Sequence, residues 1–394
     1  MQVHRTKPEE SIYDIAKEYG VSPIKIAEDN DIEIRGCLPP GRELLILTPS
    51  RSYNVKSDDT LDKIAIRFKT SKEALLRLNR ELRGLEKLYQ GQLLTIKDST
   101  PNQGMIAING YIYMDTPRER IVSLMPYLSY VTVCSAVYRD GSIHTIFPSD
   151  EAVAIAKGYG RIPMVRIYLT ELPGLDEEKD FAGSVELLAH SHGFSGVTLS
   201  SLNSKTNDKK RMESIVLSLR KQLMQSDLIL FAEGDIESET SYMEYADAGI
   251  LTYDKLHKPN IPTFPDGERA AFENFAYSQE SCRAFVEIPS FAYSGGRYVE
   301  KREAMRITDK KRGIIENDDE RKIQTASYGK HKKTDIIYES LENTIAKLGL
   351  ISELGYMGVC FDIGRVAIAD LMAISSMFDV ISRPAMAPKA CHDM

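Results

Sequence analysis

The sequence predicts an α/β protein: a closed (β/α)8 barrel with a small insertion before strand eight, preceded by two βααβ modules. Three features lead there. The first hundred residues contain an internal repeat. From Met105 onward, eight short apolar runs alternate with helical, charge-rich segments, the pattern of parallel strands joined by crossovers. No glycine-rich fingerprint follows the first of those strands, which argues against an open, doubly wound sheet. A chain of 394 residues has room for a barrel of about 250 residues and smaller companions.

The repeat places "SIYDIAKEYGVSPIKIAEDN" (Ser11 to Asn30) on "TLDKIAIRFKTSKEALLRLN" (Thr60 to Asn79), a shift of 49 positions. Ile15 and Ala16 fall on Ile64 and Ala65, Tyr19 on Phe68, Ser22 on Ser71, Ile26 on Leu75 and Asn30 on Asn79. After a one-residue slip, Gly41 falls on Gly91. Ser11 and Thr60 suit N-caps, and Leu61, Ile64, Ala65 and Phe68 then share one helix face. A second helix is expected over Lys72 to Leu78, behind the cap Ser71. Asn30 and Asn79 are expected to close helices. "RSYNVK" and "QLLTIK" flank the helices of the second copy and are expected to pair antiparallel. The two modules span 1–49 and 50–99.

The barrel, over 104–383, takes its strands from "MIAINGYIY", "SYVTVCSAV", "RIPMVRIYL", "GFSGVTLS", "DLILFAE", "DAGILTY", "AFVEIPS" and "YMGVCFD". A helix such as Asp208 to Gln225 fills the space between two of them. The gap between strands seven and eight, 290–356, is too long for a simple crossover. It predicts an inserted subdomain at about 291–335, followed by a helix over "DIIYESLENTIAKLGLISELG". The last residues, 384–394, read as a flexible tail.

Composition excludes several classes. A net charge of -7 and a pI of about 5.7 do not supply the concentrated basic face that nucleic acid requires. The short runs Lys310-Lys311-Arg312 and Lys330-His331-Lys332-Lys333 read as solvated loops. Cys37, Cys134, Cys282, Cys360 and Cys391 are scattered, odd in number and without a CxxC pair, so neither a disulfide framework nor a zinc site is expected. The pair His190 and His192 lacks a third ligand nearby, so no metal is expected, and no cofactor motif is present. The N-terminal "MQVHRTKPEESIYDIAKEYG" has no apolar h-region and the chain has no 18-residue apolar run. Synthesis in the cytoplasm without a signal peptide, and no membrane partner, are therefore expected. The terminal "CHDM" lacks the aliphatic residues of a prenylation box.

The repeat unit, with "DDTLDKIAIRF" and "N…L…GQLLTI", resembles the LysM domain; the first copy departs at its opening strand. The resemblance implies binding of N-acetylglucosamine-containing glycans, peptidoglycan or chitin, in a shallow groove between two loops. Carried onto this chain, the second groove is Asp59, Thr60 and Leu61 facing Leu88, Tyr89, Gln90 and Gly91. The first is Glu10, Ser11 and Ile12 facing Leu38, Pro39, Pro40 and Gly41. Tandem weak sites gain avidity on a polymer that engages both.

The stretches "GFSGVTLSSL", "LTYD", "EIPSF" and "GYMGVCFDIG" resemble strands four, six, seven and eight of the family 18 glycoside hydrolases, which are chitinase-like TIM barrels. Two LysM repeats ahead of such a barrel look like the spore cortex-lytic glycosidases of endospore-forming bacteria. That resemblance implies assembly onto a spore, with coat proteins as further partners.

The family's strand-four signature carries three Asp and one Glu, and here those four places read Ser195, Thr198, Ser200 and Leu202. The resemblance implies substrate-assisted chemistry, in which the Glu protonates the leaving oxygen and the preceding Asp steadies the attacking acetamido group. Leu202 has no proton to give and Ser200 carries no charge. Tyr253 and Asp254 stand where the family contacts the reacting sugar. Asp362 stands where a Trp forms the floor of the sugar site, while Phe361 should face the other way. The expected function is glycan binding by a catalytically degenerate barrel. Two alternatives stay open: an N-acetylglucosaminidase whose acid has moved to Glu233, Glu287 or Asp362, or a structural scaffold of the coat. Asp235 is another carboxylate at a strand end.

Overall fold

The computed structural model of the chain describes residues 1–34, 37–82, 87–201, 208–235, 241–252, 266–278, 281–295, 297–329 and 334–382. In the first module, Gln2–Arg5 pairs antiparallel with Glu43–Ile46 around helices Ile12–Tyr19 and Pro23–Asn30. In the second, Pro49–Asn54 pairs antiparallel with Leu93–Asp98 around Leu61–Phe68 and Lys72–Leu78. The caps form: Ser11 Oγ accepts the Asp14 N–H at 3.3 Å, Thr60 Oγ1 that of Lys63 at 3.2 Å, and Ser71 Oγ that of Ala74 at 3.0 Å. Each satisfies one of the orphan donors of a helix start.

The two asparagines close their modules in the same way. Asn30 Nδ2 donates to the carbonyls of Ile26 (2.8 Å) and Leu45 (2.9 Å), and its Oδ1 accepts the Leu45 N–H at 2.7 Å. Asn79 Nδ2 donates to Leu75 (2.8 Å) and Thr95 (2.8 Å), and its Oδ1 accepts the Thr95 N–H at 2.7 Å. A single buried amide thus ties the second helix of each module to its last strand, in cores too small to hold themselves by burial alone.

The barrel strands are β1 (Met105–Ile112), β2 (Tyr130–Arg139), β3 (Ile162–Leu169), β4 (Gly196–Ser200), β5 (Ile229–Asp235), β6 (Ala248–Thr252), β7 (Ala284–Glu287) and β8 (Gly358–Asp362). Neighbours pair in parallel, and β1 pairs with both β2 and β8, which closes the sheet. The period of two along each strand separates two layers. Val197, Leu199, Val359 and Phe361 join the core under the outer helices. Tyr130, Phe231 and Phe285 point inward and pack with ring centroids 5.1 to 5.8 Å apart, within the range of edge-to-face aromatic pairs.

Between β7 and β8 lies a five-stranded antiparallel sheet with the helix Lys301–Lys311. Its strands are Phe291–Ser294, Arg297–Glu300, Ile314–Asp318, Ile323–Tyr328 and Thr334–Glu339. The expected helix over "DIIYESLENTIAKLGLISELG" is corrected here, because Thr334–Glu339 pairs with Ile323–Tyr328 as a strand and the helix is Leu341–Glu353. The physical reason is the β-branched, aromatic content of "TDIIYE" and the Ser340 hydroxyl, which accepts the Asn343 N–H at 3.1 Å and starts the helix there. Two buried ion pairs anchor the insertion: Lys301 to Asp370 at 2.8 Å and Lys347 to Glu339 at 2.7 Å.

The modules pack on this body. Tyr127 Oη donates to the Arg77 carbonyl at 3.0 Å and Arg77 Nη1 to that of Pro126 at 2.9 Å, fixing the second module to the barrel. Lys25 Nζ donates to the Leu78 carbonyl at 3.0 Å, linking the modules. Cys37, Cys134 and Cys360 are free thiols. Among the described residues, Cys282 is disulfide-bonded, which the scattered spacing did not predict.

Candidate functional site

The C-terminal ends of β3, β4 and β5 build the inner wall of the barrel mouth, where barrel enzymes carry their chemistry. Thr198 stands opposite Arg166 and Phe231, and Ser200 opposite Tyr168 and Glu233. Ser195 lies at the other end of β4, its N–H donating to the Pro163 carbonyl at 2.8 Å. Thr198 is fully buried and its hydroxyl finds no hydrogen-bond partner among the described residues. Ser200 is equally buried, and its Oγ accepts from Arg166 Nη2 at 2.9 Å. Leu202, Tyr253 and Asp254 lie outside the described residues.

Arg166 dominates this layer. Its Nε and Nη2 reach Glu233 Oε2 at 2.8 and 2.7 Å. Tyr111 Oη donates to the other carboxylate oxygen, Oε1, at 2.5 Å. Burial alone would lower the Arg166 guanidinium, but the Glu233 carboxylate, with the tyrosines and Cys134 around it, holds it well above its ordinary value. Burial, reinforced by Glu233, pushes the Tyr111 phenol well up. Glu233 is wholly buried with both oxygens occupied, so in this arrangement it presents no free oxygen to a ligand.

The other candidate acids are spread around the rim. Asp362 Oδ1 accepts the Gly364 N–H at 2.8 Å, and its Oδ2 meets Arg365 Nη1 at 2.5 Å. Arg365 also binds Asp115, and reaches Glu300 at 3.1 Å, so one guanidinium ties β8 to the loop after β1 and to the insertion. Glu287 is buried at the end of β7, and Asp235 ends β5 half-buried. Phe361 packs outward, away from the mouth. Arg166 and Tyr111 were missed in the sequence. The available signal was Arg166, the one arginine inside the apolar strand Ile162–Leu169, at a position whose parity with Ile162 and Met164 sends it into the barrel.

In the second LysM module the two loops assigned to a groove come together: the Gly91 N–H donates to the Val55 carbonyl at 2.8 Å. Asp59 accepts the Lys56 N–H at 2.8 Å and the Tyr53 hydroxyl at 2.7 Å, which hold its carboxyl below the ordinary range. Leu61 is buried as floor, while Thr60, Gln90 and Gly91 are exposed and Leu88 is half-buried. Tyr89 stands 61% exposed, with Lys87 Nζ 5.3 Å from its ring centre. In the first module the same loops meet through the Leu38 N–H and Glu10 carbonyl at 3.3 Å. Ile12, Leu38 and Pro39 are buried, and Ser11 and Pro40 lie nearer the surface. The carbonyl of Gly41, however, accepts from Asn317 Nδ2 at 3.0 Å and Gln324 Nε2 at 3.1 Å, both in the insertion.

His190 and His192 close the helix Glu178–Ser191, where His192 Nδ1 lies 3.0 Å from Asp150 Oδ1. No group of three metal-ligating side chains occurs among the described residues. No helix among them is long and apolar enough to cross a membrane.

The class follows from these parts. The LysM domain family matches residues 4–47 and 53–97, so the chain carries two LysM domains, and behind them stands a TIM barrel. Its architecture is similar to that of the spore cortex-lytic enzyme SleL from Bacillus cereus, at a TM-score of 0.73 and 18% identity over 97% of this chain and 99% of that one. SleL from Bacillus megaterium QM B1551 matches with the same values. A chitinase from Chromobacterium violaceum ATCC 12472 matches at a TM-score of 0.57 and 12% identity, over 69% of this chain and 98% of its own. No curated protein matches the chain in sequence.

Proposed function

We propose that this is a glycan-binding protein whose LysM modules, 1–49 and 50–99, grip an N-acetylglucosamine-containing polymer, peptidoglycan or a chitin-like chain. We propose further that the family 18-like barrel, 104–383, is catalytically degenerate, and that the protein works at the spore cortex or coat. The likeness of the whole architecture to SleL, named as a spore cortex-lytic enzyme, supports that setting.

One observation carries the reading. Where substrate-assisted hydrolysis needs a carboxylate to steady a developing oxazolinium cation, Ser200 accepts a hydrogen bond from the Arg166 guanidinium at 2.9 Å. The Ser200 hydroxyl carries no negative charge, and the nearby Glu233 carboxylate is spent on Arg166, so the cation that forms goes without the electrostatic stabilisation that is usually the largest catalytic contribution. The leaving-group acid is replaced by Leu202, and loss of general acid catalysis alone removes about 10²- to 10⁴-fold in rate. Comparison of Glu233→Gln, Glu287→Gln and Asp362→Asn with the wild type on cortex fragments tests the reading. Indistinguishable, background-level release of reducing ends is expected from all four. Turnover in the wild type that one variant abolishes would establish a relocated acid.

A scaffold role has one observation in its favour: Met114 and Ile146, on loops past β1 and β2, are 75% and 55% exposed. If the double change M114S/I146S left incorporation into the coat untouched, that reading would be dismissed.

A further inference from the structure

The first LysM module and the insertion enclose a cleft of about 890 Å³. Leu38 and Pro39, from the loop assigned to that module's glycan groove, form part of one wall. The helix Lys301–Lys311, Arg312 and Tyr328 form the other. Clefts between packed domains are the commonest places for ligands. This one is held rigidly: a Cβ on Gly41 would come within 2.2 Å of the Ile315 carbonyl oxygen, and Arg302 binds Asp31 across the junction at 2.7 Å.

The charges in the cleft are unequally used. Asp31 is paired with Arg302, Glu303 with Arg306 at 3.1 Å, and Asp309 with Arg42 at 3.4 Å. Lys310, Lys311 and Arg312 are exposed and form no ion pair among the described residues. Lys311 Nζ instead lies 4.4 Å from the centre of the Tyr328 ring. Cations at a helix C-terminus offset its partial negative charge, but that effect does not require three in succession beside a sugar-facing loop. Glu33 lines the cleft as well, and with the other three acids paired the three cations still outweigh it, so the surplus field is positive; the half-buried Ile307, with the edges of Leu38 and Pro39, offers apolar surface to the C–H faces of a sugar.

We infer that this cleft is a glycan subsite that prolongs the groove of the first module and selects chains bearing carboxylates, with Lys310, Lys311 and Arg312 as the discriminating charges. The inference rests on the LysM-binding reading above. It makes a run that looks like a solvated loop in the sequence a specificity element, supplied to the module by the barrel's insertion.

The test is a titration of the full chain with two tetrasaccharide probes. One is the neutral N-acetylglucosamine tetramer; the other carries a lactyl carboxylate on alternate sugars. The wild type is expected to prefer the carboxylate probe at low salt and to lose the preference as salt screens exposed charges. The double reversal K310E/R312E, at exposed positions, is expected to weaken the carboxylate probe by about fivefold or more while leaving the neutral tetramer within about twofold, the scale that exposed ion pairs support. If the wild type binds the neutral tetramer but the reversal leaves the carboxylate probe unchanged, or weakens both probes alike, the subsite is refuted and LysM binding stands. If the wild type binds neither probe, the LysM reading fails and the subsite fails with it.

Discussion

The groove assigned to the second LysM module and the mouth of the barrel are the two candidate sites of the molecule, and they are built in opposite ways. In the groove, Tyr89, Gln90, Gly91 and Thr60 are exposed above the buried Leu61, and the two loops are joined through the Gly91 N–H and the Val55 carbonyl. At the mouth, Arg166, Glu233, Tyr111 and Ser200 bond to one another across three strands and β1. One surface is left to a ligand, whereas the other spends its polar groups on itself. Polar groups in a protein can be kept for recognition or used for stability, and here the division falls between domains.

The largest expected effect comes from the mouth. Arg166→Met would leave Glu233 as an uncompensated buried charge, and breaking such a pair costs about 3–5 kcal/mol. A urea melt should show a loss of that size, while retention on peptidoglycan stays at the wild-type level wherever the variant is folded. A variant as stable as the wild type would show that the ion pair does not hold the mouth.

Next is Asn79→Ala, which removes partners from the Leu75 and Thr95 carbonyls and from the Thr95 N–H. At about 1–3 kcal/mol for a buried group left unpaired, with water recovering some of it, a loss of about 2–4 kcal/mol is expected. Asn30→Ala should match it, because the bonds are the same; unequal losses in thermal melts would break the equivalence of the two modules.

Tyr89→Ala should act on binding instead. About tenfold weaker retention on peptidoglycan is expected, the size of a moderate contact, with a melting temperature that does not move because the ring is exposed. A pull-down unaffected by the change would put the groove elsewhere. The smallest effect is Thr198→Val, where a buried hydroxyl without a partner is exchanged for a methyl group. Stability within about 0.5 kcal/mol of the wild type, or slightly above it, is expected; a large loss in the same urea melt would mean that the hydroxyl has a partner after all.

Much of this organisation was legible in the sequence because it is local. The caps Ser11, Thr60 and Ser71, the paired asparagines and the apolar runs of the barrel strands announce themselves within a few residues. Phe361 and Asp362 separate to opposite faces by strand parity alone. The mouth network was not legible, because Tyr111 and Glu233 are 122 positions apart and Arg166 and Glu233 are 67 apart. A lone arginine in an apolar strand signals a buried partner without naming it. Still less could local pattern show that the insertion reaches the first module, a contact between Asn317 and Gly41 across 276 positions. The stretch "DIIYE" reads as helix in the sequence because it runs into a genuine helix, and only the pairing of Thr334–Glu339 with Ile323–Tyr328 makes it a strand.

The most direct measurement pairs two readouts on one purified sample: retention on intact peptidoglycan, and release of reducing ends from muramidase-digested cortex fragments over a long incubation. Retention with no release above a heat-inactivated control is the predicted result. Release that copurifies with the protein and continues over time would contradict it, and would move the search for the acid to Glu233, Glu287 and Asp362.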